Sequence, residues 1–563
     1  HDALPICRCL EDQCFTLKDL CSLRKSRKLK TWLAYLDISK AFDTVDRDRL
    51  FVHLWKKGVQ GKAWRLIKGL YSKVDSKVIF GPYESSWFEV MNGVKQGCIL
   101  SPTLFSLVMS DLADMLYGHN LGIPFGKGKI PCLLYADDVC LLGDNEENLQ
   151  KMLSVSHAFA SKWNMSFNND KSKVMVIGKG INKEKKWKLG NLHITECTTY
   201  KYLGIVFSQF LNDSTHIKSH LKDKVSCLRG YLRSILSSHD NINRINFGNS
   251  IWKSIILPSI SHGCSVWLNN TKESLSLLKS FQYSIARAIL CIKSCPAMSA
   301  TFGELGWLPI DLILNRHRIK YFHRMRYTVP DSRLCKQVFV HLTDDYLQGN
   351  DASWPYCSEL HKVLKNVGLD RAFCSRNEFW LEPYMKLSVN SYVVSFFQDI
   401  DDSSSLYWYR AIKRFTFCEE YMFTSNDFYD TQLKFKARTG CLGIKENLVR
   451  WGMTDSKCDL CKNATEDLPH FLFLCPALNE LRNACYSKLE ADLRNLGHEE
   501  LWNRYMGSSI LTKLCLFLGD HGYLYNNNVG ALFDKTCKEF LRKAWSVRLA
   551  FYADQPRPTS ELF

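Results

Sequence analysis

Two adjacent aspartates interrupt the apolar segment LLYADDVCLL at residues 133–142, and no other feature of the sequence constrains the fold as strongly. A carboxylate that is buried without a partner carries a large desolvation cost. Asp137 and Asp138 therefore need a basic partner, a shared proton or a metal ion, unless they only cap a turn. The apolar residues on both sides predict two short strands that meet at these aspartates in a hairpin.

Strand and helix patterns alternate up to about residue 207. Residues 17–30 predict a basic helix, and WFEVMNG predicts a strand that ends in an Asn-Gly turn. Further predicted strands are TWLAYLDI, KVMVIG and YKYLGIVF, and further predicted helices are TLFSLVMSDLADMLYG and NEENLQKMLSVSHAFASKWNM. From about residue 210 the apolar spacing is helical. The pattern predicts an α+β region followed by a helical one.

A third aspartate, Asp37, ends the predicted strand TWLAYLDI. Two strands that present three carboxylates at neighbouring ends provide the hard oxygen ligands that a divalent cation prefers. We therefore expect magnesium at Asp37, Asp137 and Asp138, which would explain why ionised side chains sit in apolar segments.

The formal charge of +17 arises from 74 Lys and Arg against 57 Asp and Glu. A basic excess favours a polyanion partner, because each neutralised phosphate releases counterions, although a solvated surface without a partner is the alternative. The longest apolar runs fall short of the roughly 20 residues that span a bilayer, so no membrane association is expected.

Five segments together resemble the reverse transcriptases of non-LTR (LINE-type) retrotransposons. LDISKAFDTVD is similar to the first palm motif of that family, GVKQGCILSPTLFSL to the second, YADD to the third, FNNDKSKV to the fourth and KYLGIVF to the primer grip. They occur in the family's order between residue 1 and about residue 207.

The resemblance implies a two-metal polymerase site. Asp37, Asp137 and Asp138 would bind two Mg²⁺ ions, with the backbone carbonyl of Ile38 as a further ligand, and Lys171 would protonate the leaving pyrophosphate. Two ions held about 4 Å apart can activate a 3′-hydroxyl and stabilise the leaving group.

The resemblance also implies a nucleotide pocket and a primer grip. Phe42 would exclude a ribose 2′-hydroxyl, so that deoxynucleoside triphosphates are preferred, while Gln96 and Gly97 would line the pocket. The predicted primer-grip residues are Tyr202, Leu203 and Gly204.

We predict four domains from these patterns. The first is a polymerase palm with a remnant of the fingers (1–207), which we expect to be an antiparallel sheet covered by helices. It is followed by a helical thumb (208–330), a helical connector of unknown function (331–430) and a C-terminal region (431–563). LPSISHGCSVW and FGELGWLPIDLILNRHRIKYFHRMR resemble the family's thumb and connector, and helix packing also accounts for their apolar residues.

The C-terminal region contains the spacing Cys458-x2-Cys461-x8-His470-x4-Cys475. Three thiolates and an imidazole make a closed tetrahedral zinc site, which is structural rather than catalytic. Core placement among 23 cysteines is the alternative. The preceding FKARTGCLGIKENLVRWGM resembles the family's C-terminal zinc-binding region, which implies a basic surface held against RNA or target DNA.

The resemblance implies an RNA-directed DNA polymerase that extends a DNA primer or target along an RNA template, in target-primed reverse transcription. It also implies that the protein acts in the nucleus and is part of a cytoplasmic ribonucleoprotein. Because residue 1 is His and few residues precede Asp37, we expect the chain to lack upstream fingers and an endonuclease. A catalytically inactive or co-opted nucleic-acid-binding remnant is therefore the alternative. A group II intron maturase shares the palm, but the zinc cluster and the residues SKAFDTVD disfavour it.

Overall fold

The computed structural model describes residues 9–178, 186–237, 243–268, 271–349, 355–424, 427–450, 452, 455–519 and 525–553. The chain forms two compact units. Unit 1 comprises His1–Leu221, His262–Ser274 and Asn315–Leu381, and unit 2 comprises Lys222–Ser261, Leu275–Leu314 and Glu382–Phe563. The four domains predicted from the sequence stay predictions.

The strands lie in the first part of the chain. In order they are β1 (Thr31–Asp37), β2 (Asp75–Ser76), β3 (Ile79–Phe80), β4 (Tyr83–Glu84), β5 (Phe88–Glu89), β6 (Ile123–Phe125), β7 (Gly128–Ile130), β8 (Cys132–Tyr135), β9 (Asp138–Gly143), β10 (Lys173–Ile177), β11 (Lys186–Leu189), β12 (Leu192–Glu196), β13 (Thr199–Tyr202) and β14 (Ile205–Ser208).

Helices occur throughout. In order they are α1 (Leu10–Ser26), α2 (Arg47–Lys56), α3 (Gly61–Leu70), α4 (Ser101–Gly118), α5 (Glu146–Trp163), α6 (Asp213–Ser237), α7 (Arg244–Ile251), α8 (Leu257–Ser261), α9 (Lys272–Leu290), α10 (Met298–Leu305), α11 (Ile310–Tyr327), α12 (Leu334–Leu347), α13 (Tyr356–Lys365), α14 (Leu381–Asp401), α15 (Tyr407–Ile412), α16 (Phe428–Arg438), α17 (Lys445–Arg450), α18 (Asn479–Asn495), α19 (Glu499–Gly507), α20 (Ile510–Phe517) and α21 (Asn527–Ala553). Among the described residues, π-helical turns lie at Trp252–Ile256 and His470–Leu474.

A six-stranded sheet forms the centre of unit 1, in the order β11-β12-β10-β1-β9-β8. β1 pairs antiparallel with both β10 and β9, while β10 and β12 are parallel. The sheet is therefore mixed, whereas the sequence predicted an antiparallel one. The parallel pair arises because the hairpin of β11 and β12 folds back beside β10. The apolar pattern within each strand does not predict which strands pair or in which direction.

Helices α4 and α5 cover the sheet because each has one apolar face. Leu104 and Phe105 of α4 and Trp163 of α5 are buried in the same core as Leu141 of β9. The Asn145 side chain caps α5 by accepting a hydrogen bond from the backbone N–H of Asn148 at 2.9 Å. These packing contacts fix the position of the β8–β9 hairpin.

Most predicted elements of residues 1–207 are confirmed, with three differences. α1 begins at Leu10 rather than near residue 17, WFEVMNG contains only the two-residue strand β5, and YKYLGIVF forms the two strands β13 and β14 rather than one. Gly93 does not close a hairpin. Its N–H donates to the Val45 carbonyl at 2.9 Å, and its φ of +87° lies in the region that favours glycine.

Unit 2 is helical in its described residues, apart from an isolated bridge between Lys457 and Thr465. The prediction of a helical region beyond about residue 210 is confirmed. The long helix α21 packs against α16 and α18. Within the described parts of the chain, no helix combines the length and apolarity needed to cross a membrane.

Candidate active site and metal centre

The register of two neighbouring strands brings the predicted carboxylates together. Asp37, the last residue of β1, lies directly opposite Asp138, the first residue of β9. Tyr135 pairs with Asp138, so Ala136 and Asp137 form a two-residue turn between β8 and β9. Ala136 has a φ of +50°, a left-handed conformation that costs a side-chain-bearing residue about 1 kcal/mol. The three aspartates therefore lie at one end of adjoining strands in the sheet.

The surroundings of Asp138 raise the pKa of its carboxyl. Burial, followed by the charges of Asp137 and Asp37, raises the pKa of Asp138 to about 6. The ammonium of Lys171 lies 3.6 Å from Asp37 Oδ2 and opposes this rise. Like charges on opposite strand positions destabilise a sheet, whereas a divalent cation is stabilised by several carboxylate oxygens. The donor set thus fits magnesium.

Lys171 reaches Asp37 because the chain beyond β1 pairs with the segment before β10. The N–H of Asn168 donates to the Asp37 carbonyl at 2.8 Å, and Ile38 forms a bridge with Phe167. Ser172 Oγ accepts a hydrogen bond from the Asp37 N–H at 3.2 Å. Two sequence segments about 130 residues apart are thereby held in one local structure.

An open cleft of about 560 Å³ contains most of the predicted site residues. Its lining residues are Asp37, Ile38, Ser39, Lys40, Ala41, Phe42, Asp43, Gln96, Asp137, Asn168 and Lys171. Asp138 faces Asp37 across the strand pair, and Gly97, with a φ of +83°, follows Gln96. Lys40, Asp43 and Asn168 were not predicted as site residues, although each lies within one of the five motifs.

The predicted gate and pocket residues are held by specific contacts. The Phe42 ring stacks on Phe105 of α4, with the centroids 4.9 Å apart. Gln96 Nε2 donates to Asp43 Oδ1 at 2.9 Å, which joins the loop before α4 to the segment after β1. A Cβ built on Gly93 would lie 2.8 Å from backbone atoms of Asp43, so the two segments approach too closely for any other residue.

The predicted primer-grip residues form the turn of the β13–β14 hairpin. Leu203 and Gly204 have φ values of +48° and +82°, and Tyr202 is buried beside Tyr35 of β1. His262 Nε2 forms a hydrogen bond with the Leu203 carbonyl at 3.2 Å. A Cβ on Gly204 would lie 2.7 Å from the same nitrogen, so the turn packs tightly against the histidine.

The C-terminal cysteines and histidine converge on one point of unit 2. The ligand atoms of Cys458, Cys461, His470 and Cys475 all lie within 4.8 Å of one another. The Cys458 and Cys475 sulfurs are 3.9 Å apart, and Cys461 Sγ lies 3.4 Å from His470 Nε2. Zinc bonds of ordinary length in a tetrahedron place such pairs about 3.8 Å and 3.5 Å apart. The four side chains therefore form a candidate metal site.

Glu466 connects this cluster to the last turns of α21. Its side chain is fully buried and forms an ion pair with Arg548, while Lys445 donates its backbone N–H to Glu466 Oε2 at 2.7 Å. Cys458 Sγ lies 3.6 Å from Glu466 Oε1. Such outer contacts fix the orientation of metal ligands.

Residues 4–207 match the family described as reverse transcriptase (RNA-dependent DNA polymerase). This part of the chain, which carries the three aspartates, is a reverse transcriptase domain. The curated relatives that match the chain come from the mobile elements R2, jockey and X-element, which supports a reverse transcriptase of the LINE type.

Three curated relatives illustrate the match. The Pol polyprotein from type-1 retrotransposable element R2 of Popillia japonica is 28% identical over 492 residues, which cover 83% of this chain and 72% of the relative. An R2 Pol polyprotein of Nasonia vitripennis is 30% identical over 190 residues, 32% of this chain and 18% of the relative. The RNA-directed DNA polymerase from mobile element jockey of Drosophila melanogaster is 27% identical over 275 residues, which cover 46% of this chain and 28% of the relative. The chain spans less than a third of these last two relatives.

Among solved structures, telomerase from Candida albicans, in complex with a fragment of telomeric RNA, aligns with 57% of this chain and 54% of its own. The sequence identity is 12% and the TM-score is 0.25, which is too low to show a shared fold.

Proposed function

We propose that the chain is an RNA-directed DNA polymerase that extends a DNA 3′-end along an RNA template, as part of target-primed reverse transcription by a LINE-type retrotransposon. The observation that carries this proposal is the direct opposition of Asp37 and Asp138, with Asp137 in the adjoining turn, inside a reverse transcriptase domain. The relatives named as RNA-directed DNA polymerases support it.

Asp37, Asp137 and Asp138, with the carbonyl of Ile38, would hold two Mg²⁺ ions. Such ions, when bound, would activate the attacking 3′-hydroxyl and neutralise charge on the phosphates. Lys171 has its ammonium 3.6 Å from Asp37 and a mostly exposed side chain, so it can reach a pyrophosphate in the cleft and give it a proton.

The remaining residues of the site would select and hold the substrates. Phe42 lines the cleft beside Asp37 and would press against a ribose 2′-hydroxyl, which favours deoxynucleoside triphosphates. Gln96 and Gly97 would border the nucleotide and its template base. The turn at 202–204 would support the primer end.

In the same proposal, zinc at Cys458, Cys461, His470 and Cys475 is structural, because four protein ligands leave no open coordination position. RNA template and DNA target are the macromolecular partners. Priming on chromosomal DNA would place the chain in the nucleus, and before that it would be part of a cytoplasmic ribonucleoprotein. The predicted absence of a membrane role stays a prediction.

Primer extension on poly(A) with oligo(dT), in the presence of Mg²⁺, tests the proposal. Wild-type chain is expected to extend the primer, and Asp137→Asn is expected to abolish extension while RNA binding persists. Asp170→Asn, which changes an exposed aspartate beside Lys171, is the matched control and should remain active. Undiminished extension by Asp137→Asn would remove the site assignment. Inactivity of the wild type with retained RNA binding would favour the binding remnant.

A further inference from the structure

Two phenylalanines of unit 2 are stacked on each other at the surface. The ring centroids of Phe415 and Phe417 are 4.9 Å apart, and the ring planes differ by 14°. The two residues are 50% and 62% exposed, whereas the stacked pair Trp252 and Trp307 of the same unit is buried. Exposed aromatic surface that is held in a fixed arrangement indicates a binding surface.

The segment that carries the two rings is anchored by a buried lysine. The side chain of Lys413 is fully buried, and its ammonium donates to the Phe417 carbonyl at 3.1 Å and to the Gly303 carbonyl at 2.9 Å. The same ammonium pairs with Glu419, whose backbone N–H donates to the Glu304 carbonyl at 3.3 Å. The backbone on both sides of the ring pair is therefore fixed to α10.

Further buried ionic contacts hold this anchor in place. The guanidinium of Arg438 donates two hydrogen bonds to the Glu304 carboxylate, both at 2.9 Å, and the Tyr409 hydroxyl donates a third at 2.9 Å. Because these groups are satisfied by one another and are buried, they support the surface and do not contact a ligand. The rings are thus preorganised, which lowers the entropic cost of binding.

Two exposed cations lie near the segment that carries the rings. Arg414 is exposed and lies between the anchor and Phe415 in the sequence. Lys253, also exposed, lies in the π-helical turn Trp252–Ile256, a rare conformation that is frequent at functional sites. Burial raises the pKa of the Cys418 thiol to about 12, and Lys253 is near enough for its charge to oppose that rise. Neither cation has an ion-pair partner in the described parts of the chain.

We infer that Phe415 and Phe417, together with Arg414 and Lys253, form a stacking platform for unpaired bases of a single strand of nucleic acid. The inference rests on the proposed function, which requires single-stranded template. A base stacks on an aromatic face while neighbouring cations contact the phosphates. Because all four bases have such a face, the platform should bind with little sequence preference.

Fluorescence anisotropy with labelled oligo(U), oligo(dT) and a short duplex tests the platform on the full-length chain. The double variant Phe415→Ala/Phe417→Ala is expected to weaken single-strand binding about 5- to 150-fold and to leave duplex binding nearly unchanged. Phe379→Ala removes a 77% exposed ring from unit 1 and serves as the matched control. The two single-stranded probes show whether RNA or DNA is the preferred strand.

Two further variants distinguish the contribution of ring stacking from that of charge. Phe415→Leu/Phe417→Leu keeps an apolar surface but removes the rings, so it should bind single strands nearly as weakly as the alanine variant. Arg414→Ala/Lys253→Ala should reduce the salt slope of binding by about 1.4, at about 0.7 for each phosphate contact.

Wild-type affinity in the leucine variant, or equal losses for duplex and single strand, would overturn the platform. If the wild type binds strands tightly and the ring variants bind equally well, only this inference fails. If the wild type binds no nucleic acid at all, the proposed function fails with it.

Discussion

The ionised carboxylate of Asp138 destabilises the folded chain at neutral pH, so we expect Asp138→Asn to raise stability while removing a metal ligand. Burial first, and then Asp137 and Asp37, raise the pKa of Asp138 from 3.8 to about 6. Folding therefore favours the protonated form. The destabilisation is absent below about pH 4, grows between about pH 4 and 6 and is complete above that range.

The magnitude follows from the size of this change in pKa. A carboxyl pKa raised from 3.8 to about 6 lowers the free energy of unfolding by about 3 kcal/mol at a pH where the carboxyl is ionised in both the folded and the unfolded chain. Because the carboxylate is partly exposed, solvent screens the repulsion, and we expect about 1 to 2 kcal/mol. In a unit of this size, that gain raises the unfolding temperature by about 2 to 5 °C.

Thermal unfolding followed by circular dichroism, in EDTA at pH 7.5 and at pH 4.5, measures the effect. Asp138→Asn should unfold at a higher temperature than wild type at pH 7.5, and the difference should fall to about a third at pH 4.5, because most of the destabilisation develops between that pH and about pH 6. Mg²⁺ at pH 7.5 should stabilise the wild type more than the variant.

The control is Asp170→Asn, since Asp170 is exposed and lies outside the strand pair. It should change the unfolding temperature little at either pH. The reasoning is refuted if Asp138→Asn is no more stable than wild type at pH 7.5, or if its gain is equally large at pH 4.5.

Phe42→Ala should raise the use of ribonucleotides relative to deoxynucleotides about tenfold or more in primer extension, and an unchanged ratio would contradict its role as a gate. Glu304→Gln removes one of the two carboxylates that pair with the buried guanidinium of Arg438 and leaves Glu419 as the other, so urea unfolding should show a loss of about 2 to 3 kcal/mol; a loss below about 1 kcal/mol would argue against the network. Cys461→Ser, or chelation of zinc, should speed hydrogen exchange in the last turns of α21 but leave exchange in β1 unchanged. Equal exchange with and without the metal would show that the cluster does not support that helix.

Local patterns predicted much of unit 1 because its central elements follow simple periodicities. The apolar run that ends at Asp37, the hairpin around Asp137 and the helices α4 and α5 were all predicted from their own residues. The proximity of Asp37 to Asp138 was also predicted, since each aspartate lies at one end of an apolar strand. Their roles in catalysis stay predictions.

The rest depends on contacts between distant segments. The sequence predicted an Asn-Gly turn at the end of a strand, whereas Gly93 packs against the backbone of Asp43. Nothing local pairs Glu304 with Arg438, because 134 residues separate them. Apolar residues at Phe415 and Phe417 would ordinarily predict burial, and only the structure shows both rings at the surface.

The opposition of Asp37 and Asp138 makes this centre sensitive to the length of its strands. Side chains alternate between the faces of a sheet, so one residue gained or lost within β1 or β9 would turn a carboxylate to the wrong side. No adjustment of a single rotamer could restore it. Evolution along this lineage should therefore tolerate substitutions in residues 31–37 and 138–143 far better than insertions or deletions, which should accumulate instead in the connections between helices.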